Sequence, residues 1–178
     1  MRALSLARRL TVALTGITCA ALLFRSQIAS SLITRGDDLL RAGDLSGAVR
    51  AYERAVRIDA RSTIGADRLA FYLLVRRGHG DAAHAFAIAG AALRLAPHDA
   101  ALNVDRAFAA ERLGQWRDAE RDFSAAAGAA RDPRYFHLAA RMAERANDRR
   151  SAEGHLYAAL ALDPHDGPAR AALHRLGK

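Results

Sequence analysis

Four alanines, Ala48, Ala85, Ala119 and Ala152, mark a ladder of small residues that recurs along this chain at intervals of 37, 34 and 33 residues. Five positions before them stand Gly43, Gly80, Gly114 and Asn147. Four positions after come Tyr52, Ala89, Phe123 and Leu156, and seven after come Ala55, Ala92, Ala126 and Ala159. A unit of about 34 residues with helical apolar spacing cannot bury its apolar face alone and must stack on its neighbours. An open array of helical pairs satisfies that requirement; a single bulky core does not. The glycines fall where the chain must leave one helix and reverse. Positive φ is needed there, which glycine adopts freely and asparagine tolerates next best.

The composition suits thin helix-on-helix packing. The chain is 51% hydrophobic but only 6% aromatic, and much of the apolar content is alanine. Alanine buries little area, yet it lets helix axes approach the short end of the roughly 8–10 Å range. Gly36, Ala107 and Ala140 are expected to face Ala48, Ala119 and Ala152 across each pair. Asp99 and Asp132 stand where N-caps belong, and Pro133 stands in a first helical turn. Pro97-His98-Asp99 and Pro164-His165-Asp166 are the same tripeptide, halting one helix and capping the next. The segment 60–65, three residues longer than its counterparts, is the expected place for distorted stacking.

A formal net charge of +8 raises the question of nucleic acid. Four of those charges, Arg2, Arg8, Arg9 and Arg25, precede residue 29 with no acid among them; the rest of the chain intersperses 23 bases with 19 acids. No basic stripe with interleaved aromatics is present, so nucleic acid is not an expected partner. Cys19 is the only cysteine, which excludes an intrachain disulfide and leaves the redox compartment unread. Gly16 and Thr18 before it do not form a lipoprotein signal.

Residues 10–24 are uncharged and follow Arg8 and Arg9. A cleaved signal peptide would need small residues just before its cleavage site, and Leu22, Leu23 and Phe24 occupy that place. A membrane anchor is the favoured reading, although fifteen helical residues reach only about 22 Å against a hydrocarbon core of about 30 Å. Residues 26–33 would have to supply the missing length, with Arg25 snorkelling to the interface. The arginines then set the N-terminus in the cytoplasm and the body outside. Secretion or a periplasmic location after signal cleavage is the alternative.

The units beginning near Ala29, Ala66, Ala100 and Pro133 resemble the tetratricopeptide repeat family, whose unit is a helix–turn–helix of about 34 residues. The first carries Leu32, Gly36, Leu39, Gly43, Ala48, Tyr52 and Ala55. The third carries Ala107, Ala110, Gly114, Ala119, Phe123 and Ala126, and the fourth Phe136, Ala139, Ala140, Ala143, Asn147, Ala152, Leu156, Ala159 and Pro164. The second departs in its first helix and rejoins at Gly80, Ala85, Ala89, Ala92 and Pro97. The expected organisation is an anchor or signal segment at 1–28, an all-α solenoid of four repeats at 29–165, and a capping helix at 166–178.

The resemblance implies a concave groove lined by the first helix of each unit. Its site residues would be Leu74, Arg77, Val104, Phe108, Arg112, Arg134, His137, Arg141 and Arg145: apolar in the middle, arginine-rich toward the C-terminal end. A peptide with apolar anchors and acidic residues would suit that surface, since arginine pairs with carboxylates through a planar fork. Packing between repeats is the other reading of Leu74 and Phe108. One sub-type of the family clamps a carboxylate with Lys and Asn; Ile33, Asp37, Phe71, Ala101 and Asp105 stand at those places, so that mode is not implied. No metal-ligand spacing, phosphate loop or nucleophile motif occurs, and no catalysis or cofactor is expected. The expected function is a noncatalytic scaffold or adaptor, held at a bacterial envelope membrane through residues 10–24. Self-assembly into a homo-oligomeric envelope component, or a secreted chaperone for exported proteins, are the alternatives.

Overall fold

The computed structural model describes residues 2–177, with the backbone alone described at residues 2–10, 12–14 and 17. Among the described residues there are nine helices and no strand. The chain divides into two compact units, Met1–Gly65 and Ala66–Lys178. The division falls at the end of the overlong segment 60–65.

The first unit pairs α1 (Arg2–Arg41) with α2 (Leu45–Ile58). Gly43 turns the chain between them at φ +81°, and Asp44 caps α2 by accepting from the Gly47 amide at 2.7 Å. Ala48, Val49, Ala51, Tyr52 and Ala55 form the buried stripe of α2. Gly36 is required by contact: a Cβ there would stand 2.5 Å from the Tyr52 ring. Thus the aromatic ring, rather than Ala48, occupies the space opposite Gly36. The Tyr52 hydroxyl donates to Asp37 Oδ1 at 2.6 Å, which satisfies the polar end of a side chain otherwise fully buried.

The single-pass membrane anchor is overturned here. Among the described residues no helix is long and apolar enough to cross a membrane. The stretch that had to lengthen the uncharged run is used otherwise. Arg25 donates from Nε at 2.9 Å and Nη2 at 2.6 Å to the Ile58 carbonyl at the end of α2. Ala29 is buried and Ile28 half-buried in the same unit. α1 also runs without a break through the expected boundary at residue 28. Within residues 10–24, the side chains of 10, 12–14 and 17 lie outside the described residues.

The second unit contains α3 (Thr63–Arg76, entering from the first unit), α4 (Asp81–Leu93), α5 (Ala100–Arg112), α6 (Trp116–Ala130), α7 (Pro133–Arg145), α8 (Arg149–Leu162) and α9 (Gly167–Leu176). From α4 onward each helix packs on the next in chain order. Ala107, Ala110, Ala119, Phe123, Ala139 and Met142 make one buried cluster. Ala140, Ala143, Ala152, Leu156, Ala159 and Ala169 make another, so α9 covers the end of α8. Asp99, Asp132, Asp148 and Asp166 cap α5, α7, α8 and α9 with hydrogen bonds to first-turn amides. Gly80, Gly114 and Asn147 hold positive φ at the reversals, at +79°, +73° and +58°.

Two charged pairs tie helices of this unit together. Arg106 on α5 grips Asp122 on α6 with two bonds of 2.7 Å, and the Asp122 side chain is 1% exposed. Arg76 at the end of α3 grips Asp81 at the start of α4 at 2.9 and 2.6 Å. The fork on Asp81 holds its carboxyl below the ordinary range; the Gly78 amide adds to this, against burial. Planar, bidentate contacts of this kind fix orientation as well as distance.

Candidate functional site

α3 and α5 each open a helical face onto one cleft of about 360 Å³, a volume within the range of ligand pockets. α3 supplies Phe71, Leu74 and Val75, with Arg77 just beyond its end; α5 supplies Val104, Asp105, Phe108 and Arg112. On α5 these positions fall at i, i+1, i+4 and i+8, which is one face of a helix. Phe71 and Val75 are 48% and 47% exposed, whereas Leu74 is buried at the floor. Phe108 has two attachments. It lines the cleft and meets buried Phe123 edge to face at 5.0 Å, so its ring is fixed from behind.

The rim is positive at one end. Arg77 has φ +57°, a left-handed turn placed directly after α3. Arg112 donates from Nη1 to the Leu74 carbonyl, one of the last-turn acceptors that α3 leaves without an intrahelical donor. Toward the N-terminal end of α5 stands Asp105, 4% exposed, whose Oδ2 has no hydrogen-bond partner. Burial pushes this carboxyl up to about 8, and the charges of Asp67 and Asp99 push it the same way. Asp67 is itself raised, by burial first and by Asp99, with Arg68 opposing.

Five of the nine residues expected from the sequence therefore share this cleft: Leu74, Arg77, Val104, Phe108 and Arg112. The other four, all on α7, have separate engagements. Arg134 folds back on Asp132 and holds that carboxyl below its ordinary range. His137 Nε2 lies 2.6 Å from Oδ2 of Asp166, the cap of α9. Burial would raise Asp166, but the Ala169 amide and His137 outweigh it and hold it lowered. Arg141 pairs with Glu111 on α5 at 3.2 Å. Arg145 lies 4.9 Å from the centroid of Trp116, and the two line a separate, more polar cleft of about 460 Å³. Of the guanidinium groups behind the acidic-partner expectation, those of Arg112, Arg134 and Arg141 have acceptors within the chain, and that of Arg145 lies over Trp116.

Phe71, Val75 and Asp105 also line the cleft; of these the sequence reading singles out Phe71 and Asp105 only as positions that do not fit a carboxylate clamp, and Val75 not at all. The helical period could have included Asp105, which sits one turn before Phe108. An acid reads by default as a solvated side chain, and here it is not.

MamA from Desulfovibrio magneticus RS-1 superposes with a TM-score of 0.67 at 18% identity, over 84% of this chain and 83% of that one. A tetratricopeptide repeat protein from Parabacteroides merdae superposes with a TM-score of 0.67 at 18% identity, over 84% of this chain and 59% of that one. The fold is a tetratricopeptide-type α-solenoid. PilF from Pseudomonas aeruginosa gives a TM-score of 0.61 at 16% identity, over 85% of this chain and 68% of that one. At such identities the likeness is one of fold alone. No protein-family model and no curated protein matches the sequence.

Proposed function

We propose that this chain is a noncatalytic protein-interaction module whose working surface is the cleft between α3 and α5. The observation that carries the reading is the apolar wall of Phe71, Val75 and Phe108, partly open to solvent and framed by Arg77 and Arg112. An exposed apolar cleft with a polar rim costs solubility unless something covers it. An extended or helical segment of a partner polypeptide, laying apolar side chains on this wall, is the occupant that such a cleft fits. The fold supports the same reading, since stacked helical pairs present long surfaces.

The test is site-specific photocrosslinking. A photoreactive residue at Phe71 should capture a discrete partner in cells, and the same residue at Tyr157, exposed on α8, should not. Adding Val75→Glu should abolish the adduct while leaving helicity unchanged. Equal labelling from both positions, or an adduct indifferent to Val75→Glu, would place the interaction elsewhere.

A further inference from the structure

The arginines at the rim of the cleft suggest an anionic partner, but the cleft's unmatched polar group is a carboxyl, which takes the opposite sign once ionised. Arg112 is already donating to the Leu74 carbonyl. Asp105 is nine-tenths buried, lines the cleft, and leaves Oδ2 without a donor. Buried polar oxygens are almost always satisfied, so an orphan beside a cleft marks a place where a donor can be received. Asp67 and Asp99 bear on the same point with like charge, so the local field favours a cation. Rotation about Cβ–Cγ, a broad torsion in aspartate, turns the covered oxygen toward an entering group.

Resting on the cleft as the docking surface, we propose that Asp105 is its specificity residue and receives the ammonium group of a lysine side chain from the partner segment. A single orphan oxygen matches a compact ammonium better than the two-pronged guanidinium fork. The aliphatic stem of the lysine would lie on Phe108 and Val104, which flank Asp105 on the α5 face, and neighbouring apolar side chains of the partner on Phe71 and Val75. Arg77 and Arg112, about two helical turns away along the axis, then disfavour a second cation at the far end and fix the direction in which the segment lies.

The proposal is tested on the full chain with three small probes of one shape: 4-phenylbutylammonium, 4-phenylbutan-1-ol and 4-phenylbutyrate. Methyl signals of Leu74, Val75 and Val104 report occupancy of the cleft by NMR. The titration is run near pH 9, where a carboxyl pushed to about 8 is ionised and an alkylammonium keeps its proton. The ammonium probe should bind at least about tenfold more tightly than the alcohol, and Asp105→Asn should bring that ratio close to one. Equal binding of all three probes would overturn the lysine assignment and leave the docking cleft standing. Tightest binding of the butyrate would do the same and hand the recognition to Arg77 and Arg112. Probes that move none of these methyls would overturn both readings. The wild-type ratio decides the matter alone if the variant fails to fold.

Discussion

Replacing Asp105 by Asn should stabilise the chain by an amount that grows with pH. The free aspartate titrates near 3.8, and the buried Asp105 is pushed to about 8. Between those two pH values the unfolded chain has released the proton and the folded chain retains it. Stability therefore falls as pH rises, by about 1.4 kcal/mol per pH unit. The loss begins above the unfolded value, accumulates across the window, and levels off once pH passes the folded value. At pH 7 it amounts to about 4 kcal/mol, the product of that slope and the interval from 3.8. Asparagine does not titrate, so the variant escapes the loss while keeping the side-chain volume. Whatever fixed offset the amide introduces, the gap between variant and wild type should widen by about 3 kcal/mol between pH 5 and pH 7. Urea unfolding followed by circular dichroism at both pH values gives the gap directly, and the remaining carboxylates titrate alike in the two proteins. A gap that stays constant would mean that Asp105 is already ionised in the folded chain. The account of its burial would then be wrong.

Asp81 should behave with the opposite sign. Its carboxyl is lowered by Arg76, so its contribution is present above the unfolded value and is lost as pH falls; Asp81→Asn should flatten the acid limb of an unfolding-versus-pH curve. Asp122→Ala strands the Arg106 guanidinium and should cost about 3–5 kcal/mol by chemical denaturation; a cost under about 1 kcal/mol would show the pair to be solvated. Gly36→Ala forces a methyl into the Tyr52 ring and should destabilise by about 1–3 kcal/mol, with a change in the near-ultraviolet signal of that tyrosine. An unchanged spectrum and midpoint would show that α1 and α2 can part slightly without loss.

The reversals and caps were legible because each depends on a few neighbouring residues. Gly43, Gly80, Gly114 and Asn147 carry the αL turns, and Asp99 and Asp132 cap the helices they precede. The alanine seam was legible for a similar reason, since a period names a face. What a period cannot name is the partner of a charge. Arg112 meets a carbonyl 38 positions away and Arg141 an acid 30 positions away, engagements that no reading of their own helices could show. Asp105 failed in the reverse direction: its helical position was visible, but its burial depends on what α3 lays over it. The N-terminal run misled at Arg25, which the membrane reading needed to snorkel to an interface. Arg25 had an acceptor at the end of α2 that no window over residues 10–24 could contain.

The seams lined by alanine have a thermal consequence. Most buried apolar side chains here are single methyl groups, which expose little new hydrocarbon when the chain unfolds. The heat-capacity change of unfolding follows newly hydrated apolar area and sets the curvature of stability with temperature. Alanine also loses no rotamer freedom on ordering, so its burial is not opposed by side-chain entropy. Both effects act on the shape of the stability curve: a smaller heat-capacity change flattens it, so that stability varies less with temperature than in a core of the same size built from leucine and phenylalanine.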